Sequence, residues 1–306
     1  MHKNDSKLRE DILVLGCAFN EKLANIDYQI MGKDSVIADA RERIELARDD
    51  RMLLRECRDA RQDLQKGLEG LESLKTLHHD IATHWKNEER RIIGQLFWAP
   101  PIGFSTIPGQ YTLDLAVIRI NSGILDGNNY LGNIINIGNK YTRHQFMDKI
   151  YLNPSQASSH SFKFPGSRLV KLQGQVPKID LIKQPMIDST AGEPCLVVFK
   201  NGAKTDITIG KADNVSSYTR RYFSDTHVES REWPIIPTNK DSGPFSSNGD
   251  SGSCVADAFS RVGGILTGGC GATESSDVTY VTPISYIMEV LHKSKHFQHA
   301  HLNPIL

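Results

Sequence analysis

The sequence predicts a mostly β chain interrupted by a long α-helical insertion, and three observations carry that prediction. No proline occurs before Pro100, and apolar residues across positions 19–90 recur at alternating steps of four and three. From Arg91 onward the pattern changes to short runs rich in Val, Ile, Thr and aromatics, parted by Gly, Pro, Asn and Asp. Many short strands with frequent turn signals indicate a sandwich or barrel. The final stretch returns to helical spacing.

In chain order, Glu10 to Gly16 reads as a buried strand ended by a glycine. A first heptad track then holds Phe19, Leu23, Ile26, Ile30, Lys33, Ile37, Ala40, Ile44 and Ala47. A second holds Leu53, Cys57, Ala60, Leu64, Gly67, Leu71, Leu74, His78, Ile81 and Trp85. Extending the first track forward reaches Arg51, Leu54, Arg58 and Arg61, the wrong face for the second, so the phase breaks near Arg48 to Arg51. Two helices of about thirty residues, each roughly 45 Å long at 1.5 Å per residue, follow. A 3.5-residue apolar repeat keeps one seam facing a partner, which favours an antiparallel hairpin. One unbroken helix in an intermolecular coiled coil is the alternative.

Strands are expected at Ile92 to Trp98, Leu115 to Ile120, Asn133 to Ile137, Ser161 to Phe164 and Leu169 to Leu172. Further strands are expected at Cys195 to Lys200, Thr205 to Ile209, Gly263 to Thr267 and Val278 to Val281. Pro283 to Lys295, with Ile284, Ile287, Val290 and Leu291 on one face, should be an amphipathic helix.

Composition narrows the function classes. Lys plus Arg and Asp plus Glu balance at 36 each, which argues against a nucleic-acid or anionic-membrane partner. No apolar run approaches the ~18 residues of a membrane span, and the polar start, Met1 to Ser6, has no signal-peptide core. Cys17, Cys57, Cys195, Cys254 and Cys270 are odd in number and scattered, suggesting neither a disulfide framework nor a metal site. A reduced, cytoplasmic chain is expected, with the nucleus left open, and no cofactor or metal is called for.

Gly249-Asp250-Ser251-Gly252-Ser253 is the segment that carries chemistry. A glycine-bordered turn projects a serine hydroxyl while neighbouring amides converge where a carbonyl oxygen would become negative. Gly249 and Ser251 are the natural donors. An apolar strand and a turn follow, then Gly263 to Gly269.

With those residues the chain resembles the trypsin-like (chymotrypsin-fold) serine peptidases. The resemblance implies two β-barrels, the first of them expected to be incomplete in this chain, a Ser251 nucleophile and an oxyanion hole at Gly249 and Ser251. It also implies a cleft strand ending in Thr267, Gly268 and Gly269, and a penultimate strand at Val278 to Thr282. The catalytic aspartate usually precedes a short apolar strand, which Asp114 does before Leu115 to Ile118; a turn-forming residue at a strand start is its plainer reading. Phe245, six residues before Ser251, resembles the floor of the primary pocket and would favour small or apolar side chains; it also reads as simple core. The likeness extends to fungal trypsin-like proteins that carry a long helical insertion between catalytic histidine and aspartate. It implies four regions: a residual first-barrel strand over 1–18, the helical hairpin over 19–90, the rest of the first barrel over 91–155, and a second barrel with its helix over 156–306.

The histidine of that family precedes the segment resembling Lys3 to Gly16, and no such piece stands before Met1. His2 precedes any strand; His78, His79 and His84 fall on the second helix; His144, His160 and His227 follow Asp114. His292, His296, His299 and His301 crowd the tail without a carboxylate or cysteine to complete a metal site. A serine without a positioned base is a weak nucleophile. The expectation is therefore a truncated or impaired endopeptidase homologue acting on, or binding, a polypeptide. A non-catalytic pseudopeptidase, or an interaction module that self-associates or captures partners through the hairpin, are the alternatives.

Overall fold

The structure, a computed structural model, describes residues 11–13, 19–48, 53–125, 127–128, 130–151, 162–187, 194–223, 225–271 and 277–303. His2, Glu10, Val14 to Gly16, Cys17, the expected break at Asp49 to Arg51, His160 and Ser161 lie outside the described residues. The chain divides into two compact units, residues 1–99 with 116–124 and residues 100–115 with 125–306.

In the first unit, α1 (Phe19–Leu46) and α2 (Leu54–Asp80) pair side by side. Ile37 lies against Gly67 and Lys33 against Gly70, Arg43 bonds Glu56 and Asp63, and His78 Nε2 stands 3.1 Å from Asp27 Oδ1. Partner numbers fall on one helix as they rise on the other, so the pairing is an antiparallel hairpin rather than one unbroken helix. The seam is the predicted one. Phe19, Ile37, Ala40, Ala47 and Ala60 are buried along it. Leu53 and Trp85, the two ends of the second track, are exposed instead. Leu53 precedes α2, and Trp85 ends a π-helical turn (Ile81–Trp85) whose wider winding carries side chains off a heptad seam. Arg91 is buried with its guanidinium 4.3 Å over the Phe19 ring. Beyond it, β1 (Asp11–Leu13), β2 (Ile92–Trp98) and β3 (Val117–Ile120) form an antiparallel sheet in that order.

The second unit begins with a small sheet of β4 (Ile134–Asn136) and β5 (Leu169–Lys171). Between them, α3 (Arg143–Ile150) opens on a capping box, Thr142 with Gln145. A one-turn helix, α4 (Lys178–Lys183), follows β5. The remaining strands are β6 (Met186–Ile187), β7 (Pro194–Gly202), β8 (Asp206–Ala212), β9 (Ser217–Phe223), β10 (Thr226–Pro237), β11 (Cys254–Asp257), β12 (Val262–Cys270) and β13 (Val278–Pro283). Antiparallel pairing runs β7-β8-β10-β13-β12-β11 and returns from β11 to β7, closing a barrel. Closure removes the sheet edges. α5 (Ile284–Lys293) ends the fold as predicted, within two residues at each end.

The barrel interior collects Leu196, Val198, Ala212, Trp233, Ile235, Phe245, Val255, Leu266 and Val281. Val197 and Phe199, the alternate residues of β7, pack into a second cluster with Phe146, Phe162, Ile284 and Ile287. Both faces of β7 are therefore covered, which is why Cys195 to Phe199 reads as an unbroken apolar run. Each fully buried side chain of this size contributes about 1.5–3 kcal/mol.

Two expectations fail. Phe162 to Phe164 carries no strand; Phe162 is instead a core anchor, its ring 5.7 Å from that of Phe146. The ribbon of β9 and the first half of β10 was not expected, and it pairs from Ser217 with Glu232 to Phe223 with Thr226.

Candidate active site

The Gly249 to Ser253 turn is fixed by its backbone. Asp250 N donates to Ser247 O (3.0 Å), and Ser253 N donates to Asp250 O (3.0 Å). Gly252 N reaches Leu266 O (2.8 Å) and Leu266 N returns to Ser253 O (3.0 Å), sewing the turn to β12. Gly249 has φ +100°, a conformation side chains other than glycine's rarely adopt. Ser251 stands exposed at the tip, and its hydroxyl has no hydrogen-bond partner among the described residues. Among those residues the amides of Gly249 and Ser251 also donate to no acceptor. Two N–H groups left open among the described residues beside an exposed hydroxyl are the donors that could hold a negative oxygen, whereas attack by the hydroxyl would still need a base.

Asp250 anchors this turn from below. It is wholly buried, and Gly202 leaves room for it: a Cβ there would stand 2.3 Å from Asp250 Oδ1. Oδ1 accepts from Lys204 N (2.8 Å) and Thr205 N (3.3 Å); Oδ2 accepts from Thr205 Oγ1 (2.7 Å) and Ser247 N (3.1 Å). Lys200 Nζ, also wholly buried, lies 3.3 Å from Oδ2 and 5.6 Å from the Phe245 ring centroid. Burial alone raises the Asp250 carboxyl, but Thr205, the Lys204 and Ser247 amides and the Lys200 ammonium overcome it and hold the group at about 2. Burial also lowers Lys200 below the ordinary lysine range, against the pull of Asp250. The carboxylate is ionised at neutral pH and is better served by protein donors than Lys200 is by acceptors.

Ser251 opens onto a cleft of about 360 Å³. Gly268 and Gly269 at the end of β12 line it together with Ser246, Ser247, Cys270 and Asp277. Ser251, Gly268 and Gly269 are thus brought together. Thr267 is not among the lining residues; its hydroxyl donates to Tyr280 O (3.3 Å). Phe245, expected at the pocket floor, is not there either. Its side chain lies in the barrel interior, 1% exposed, and its carbonyl accepts from Thr208 Oγ1 (2.7 Å). The carboxylate of Asp277 lines the cleft instead, with Oδ2 accepting from Phe245 N (3.0 Å). A larger cavity of about 860 Å³, lined by Tyr130, Leu131, Leu169 and Leu302 among others, holds no residue of this chemistry.

Asp114 is exposed and its carboxylate has no partner among the described residues; it is absent from the cleft lining. The segment leading to it is nonetheless firmly placed. Leu113 bridges Gly103, Thr112 Oγ1 donates to the buried Glu232 on β10, and Thr282 Oγ1 on β13 donates to Thr112 O (2.6 Å). The histidines described in this unit are engaged elsewhere or exposed. His144 pairs with Asp148 (2.7 Å), His227 stands 3.8 Å from Glu229, and His292 bonds Ala300 O (2.8 Å). None of them lines the cleft.

Sequence reasoning missed Lys200 and Asp277. A lysine closing an apolar strand ordinarily reads as its solvated end, and Asp277 enters the cleft from beyond β12, far from the Ser251 motif in sequence.

Comparison with known proteins bears on this site. Among curated proteins nothing matches the chain. Two solved structures are similar to it in part. A glutamic acid specific serine protease that utilizes a histidine triad in substrate binding is 14% identical, with 65% of this chain and 71% of that chain covered and a TM-score of 0.35. A chymotrypsin from Cellulomonas bogoriensis is 15% identical, with 65% and 88% covered and a TM-score of 0.30. The description of one peptidase family matches residues 23–299, from within the helical hairpin to beyond α5. Serine turn, barrel and hairpin all fall inside that match, and the chain belongs to peptidase family S64.

Proposed function

We propose that this protein is a trypsin-like serine endopeptidase homologue in which Ser251 is the nucleophile and the Gly249 and Ser251 amides are the oxyanion pair. The observation that carries the reading is Ser251 itself: a hydroxyl at a cleft mouth, on a turn locked by Asp250, and like the two amides beside it without a hydrogen-bond partner among the described residues. A polypeptide would lie along Gly268 and Gly269, adding a strand by main-chain pairing. Ser251 Oγ would form its bond to the scissile carbonyl carbon as the carbonyl oxygen takes the negative charge, and the hydroxyl proton must pass to a base. Asp114 is the aspartate of this reading, and the bonds that fix its neighbour Thr112 to β10 and β13 support it.

No base within the described residues bonds Ser251, which supports an impaired catalyst as this chain stands. Oxyanion hole and binding alone leave roughly 10³–10⁴-fold over water. The same observation favours a second reading, a pseudopeptidase that holds peptides without cutting them. A fluorophosphonate probe separates the two. Attack by Ser251 on phosphorus expels fluoride and leaves a Ser251 adduct detectable by peptide mapping. Adduct formation supports the peptidase; absence of adduct, with array-bound peptides still retained by the Ser251→Ala protein, supports the binder.

A further inference from the structure

We infer that the outer face of the β4–β5 sheet is a binding site for an amphipathic monoanion, a fatty acid, with Lys171 as the residue that receives its carboxylate. The site lies in a part of the second unit that the reading of Ser251 leaves unused.

Strand alternation builds the site. Ile134 pairs with Lys171, Ile135 with Val170 and Asn136 with Leu169. Ile135 and Val170 are buried and join the core cluster that holds Phe146 and Phe199. Successive side chains of a strand point to opposite faces, so Ile134, Asn136, Leu169 and Lys171 share the outer one. The solvated face of an antiparallel sheet ordinarily carries polar side chains, and here an isoleucine and a leucine stand among them.

Neighbouring segments turn that face into a cavity. Ile134, Leu169 and Lys171 line the space of about 860 Å³, with Tyr130 and Leu131 before β4 and Leu302 beyond α5. Asn133 Nδ2 donates to Leu302 O, which fixes that wall. The Lys171 stem runs beside Gly132, its Cε 3.9 Å from where a Cβ would stand. Leu131 is 54% and Ile134 37% exposed, so the trough leaves apolar surface in water. Mostly apolar walls with a few polar groups are those of a small-molecule site.

Charge chooses the occupant. Lys171 is the charged residue of the lining, and no Asp or Glu stands there among the described residues. Its ammonium has no hydrogen-bond or ion-pair partner among those residues either. An apolar trough with one unpaired cation complements a ligand with an apolar tail and one negative end. An apolar peptide strand would fill the trough but bring nothing to the ammonium.

The test uses the full chain and cis-parinaric acid, a fatty acid whose emission rises in apolar surroundings. Emission should rise saturably with the unmodified protein. Dodecanoate should displace the probe about fivefold better than dodecanol, the size of one exposed ion pair, and dodecylamine should displace it least. Lys171→Gln should weaken probe binding about fivefold, and Leu131→Asp at least about tenfold. Both side chains are exposed, so the fold should survive, as circular dichroism would show. No saturable rise, equal displacement by dodecanoate and dodecylamine, or unchanged binding to either variant would overturn the inference. So would a dimer broken by Leu131→Asp, which would give the face to a second copy. A rise seen only after residues 304–306 are removed would also overturn it, giving the cavity to the chain itself.

Discussion

Replacing Lys200 by methionine removes one charge from a wholly buried pair while keeping the chain length that fills the barrel end. At 3.3 Å separation and an effective dielectric of ~20, the attraction lost is about 5 kcal/mol. Part of that is already offset, because Lys200 is strongly desolvated, as its lowered pKa records. Asp250 also keeps its bonds to Lys204 N, Thr205 N, Thr205 Oγ1 and Ser247 N, so it is not left bare. The expected cost therefore sits at the low end for broken buried pairs, about 3 kcal/mol. Urea denaturation of the full chain at pH 7 measures it. Acidification supplies an internal control. Because the Asp250 carboxyl is held at about 2 rather than the ordinary 3.8, the stability it contributes is complete above 3.8 and fades as pH falls through 2. Without Lys200 the carboxyl is held down less, so the gap between the two proteins should narrow across that window. A Lys200→Met protein within about 1 kcal/mol of the parent at pH 7, or a gap unchanged down to pH 2, would refute the reasoning.

Three further perturbations test other parts of the structure. Gly249→Ala should cost about 1–3 kcal/mol, because φ is +100° and the new Cβ would stand 2.9 Å from Lys204 Cγ; chemical denaturation measures the loss, and fluorophosphonate labelling of Ser251 should slow. Ile37→Ala opens the hairpin seam opposite Gly67 and should destabilise it by about 2–3 kcal/mol, seen as an earlier helical melting transition by circular dichroism. Burial raises the Glu232 carboxyl above 4.5 despite its bonds from Ser230 and Thr112, so the folded chain binds that proton more tightly than the unfolded one. Stability from this group is present below 4.5 and lost as pH rises through the raised value, and Glu232→Gln should flatten that limb of the stability–pH curve.

The parts of the fold that were legible are those where one physical signal dominated. Heptad spacing alone placed the helical seam, because two helices that bury mainly each other must repeat their apolar residues every 3.5 positions. The apolar run at Cys195 marked β7, and the Ile284, Ile287 face marked α5, almost to their ends. The Gly249 to Ser253 turn was readable because glycines at fixed offsets declare the backbone shape around Ser251. Where signals were short or mixed, reading failed. Residues 143–150 are too few for a periodicity, although Thr142 and Gln145 spell the capping box that starts α3. β9 is rich in exposed and charged side chains, Tyr218, Arg220 and Tyr222 among them, so its alternation does not look like that of a buried strand. Pocket chemistry was the hardest to foresee. Counting back from Ser251 selected Phe245, but whether a side chain points into a cleft or into a core depends on strand register, which the count does not contain.

The bed beneath the serine turn has one last consequence. Every donor that holds Asp250, from Lys200, Lys204, Thr205 and Ser247, belongs to the same barrel and lies within fifty residues of it in sequence. Closing β7 onto β8 and β11 therefore assembles the counter-charge and the turn together, from side chains and amides of this barrel alone. Readiness of that loop is a by-product of folding.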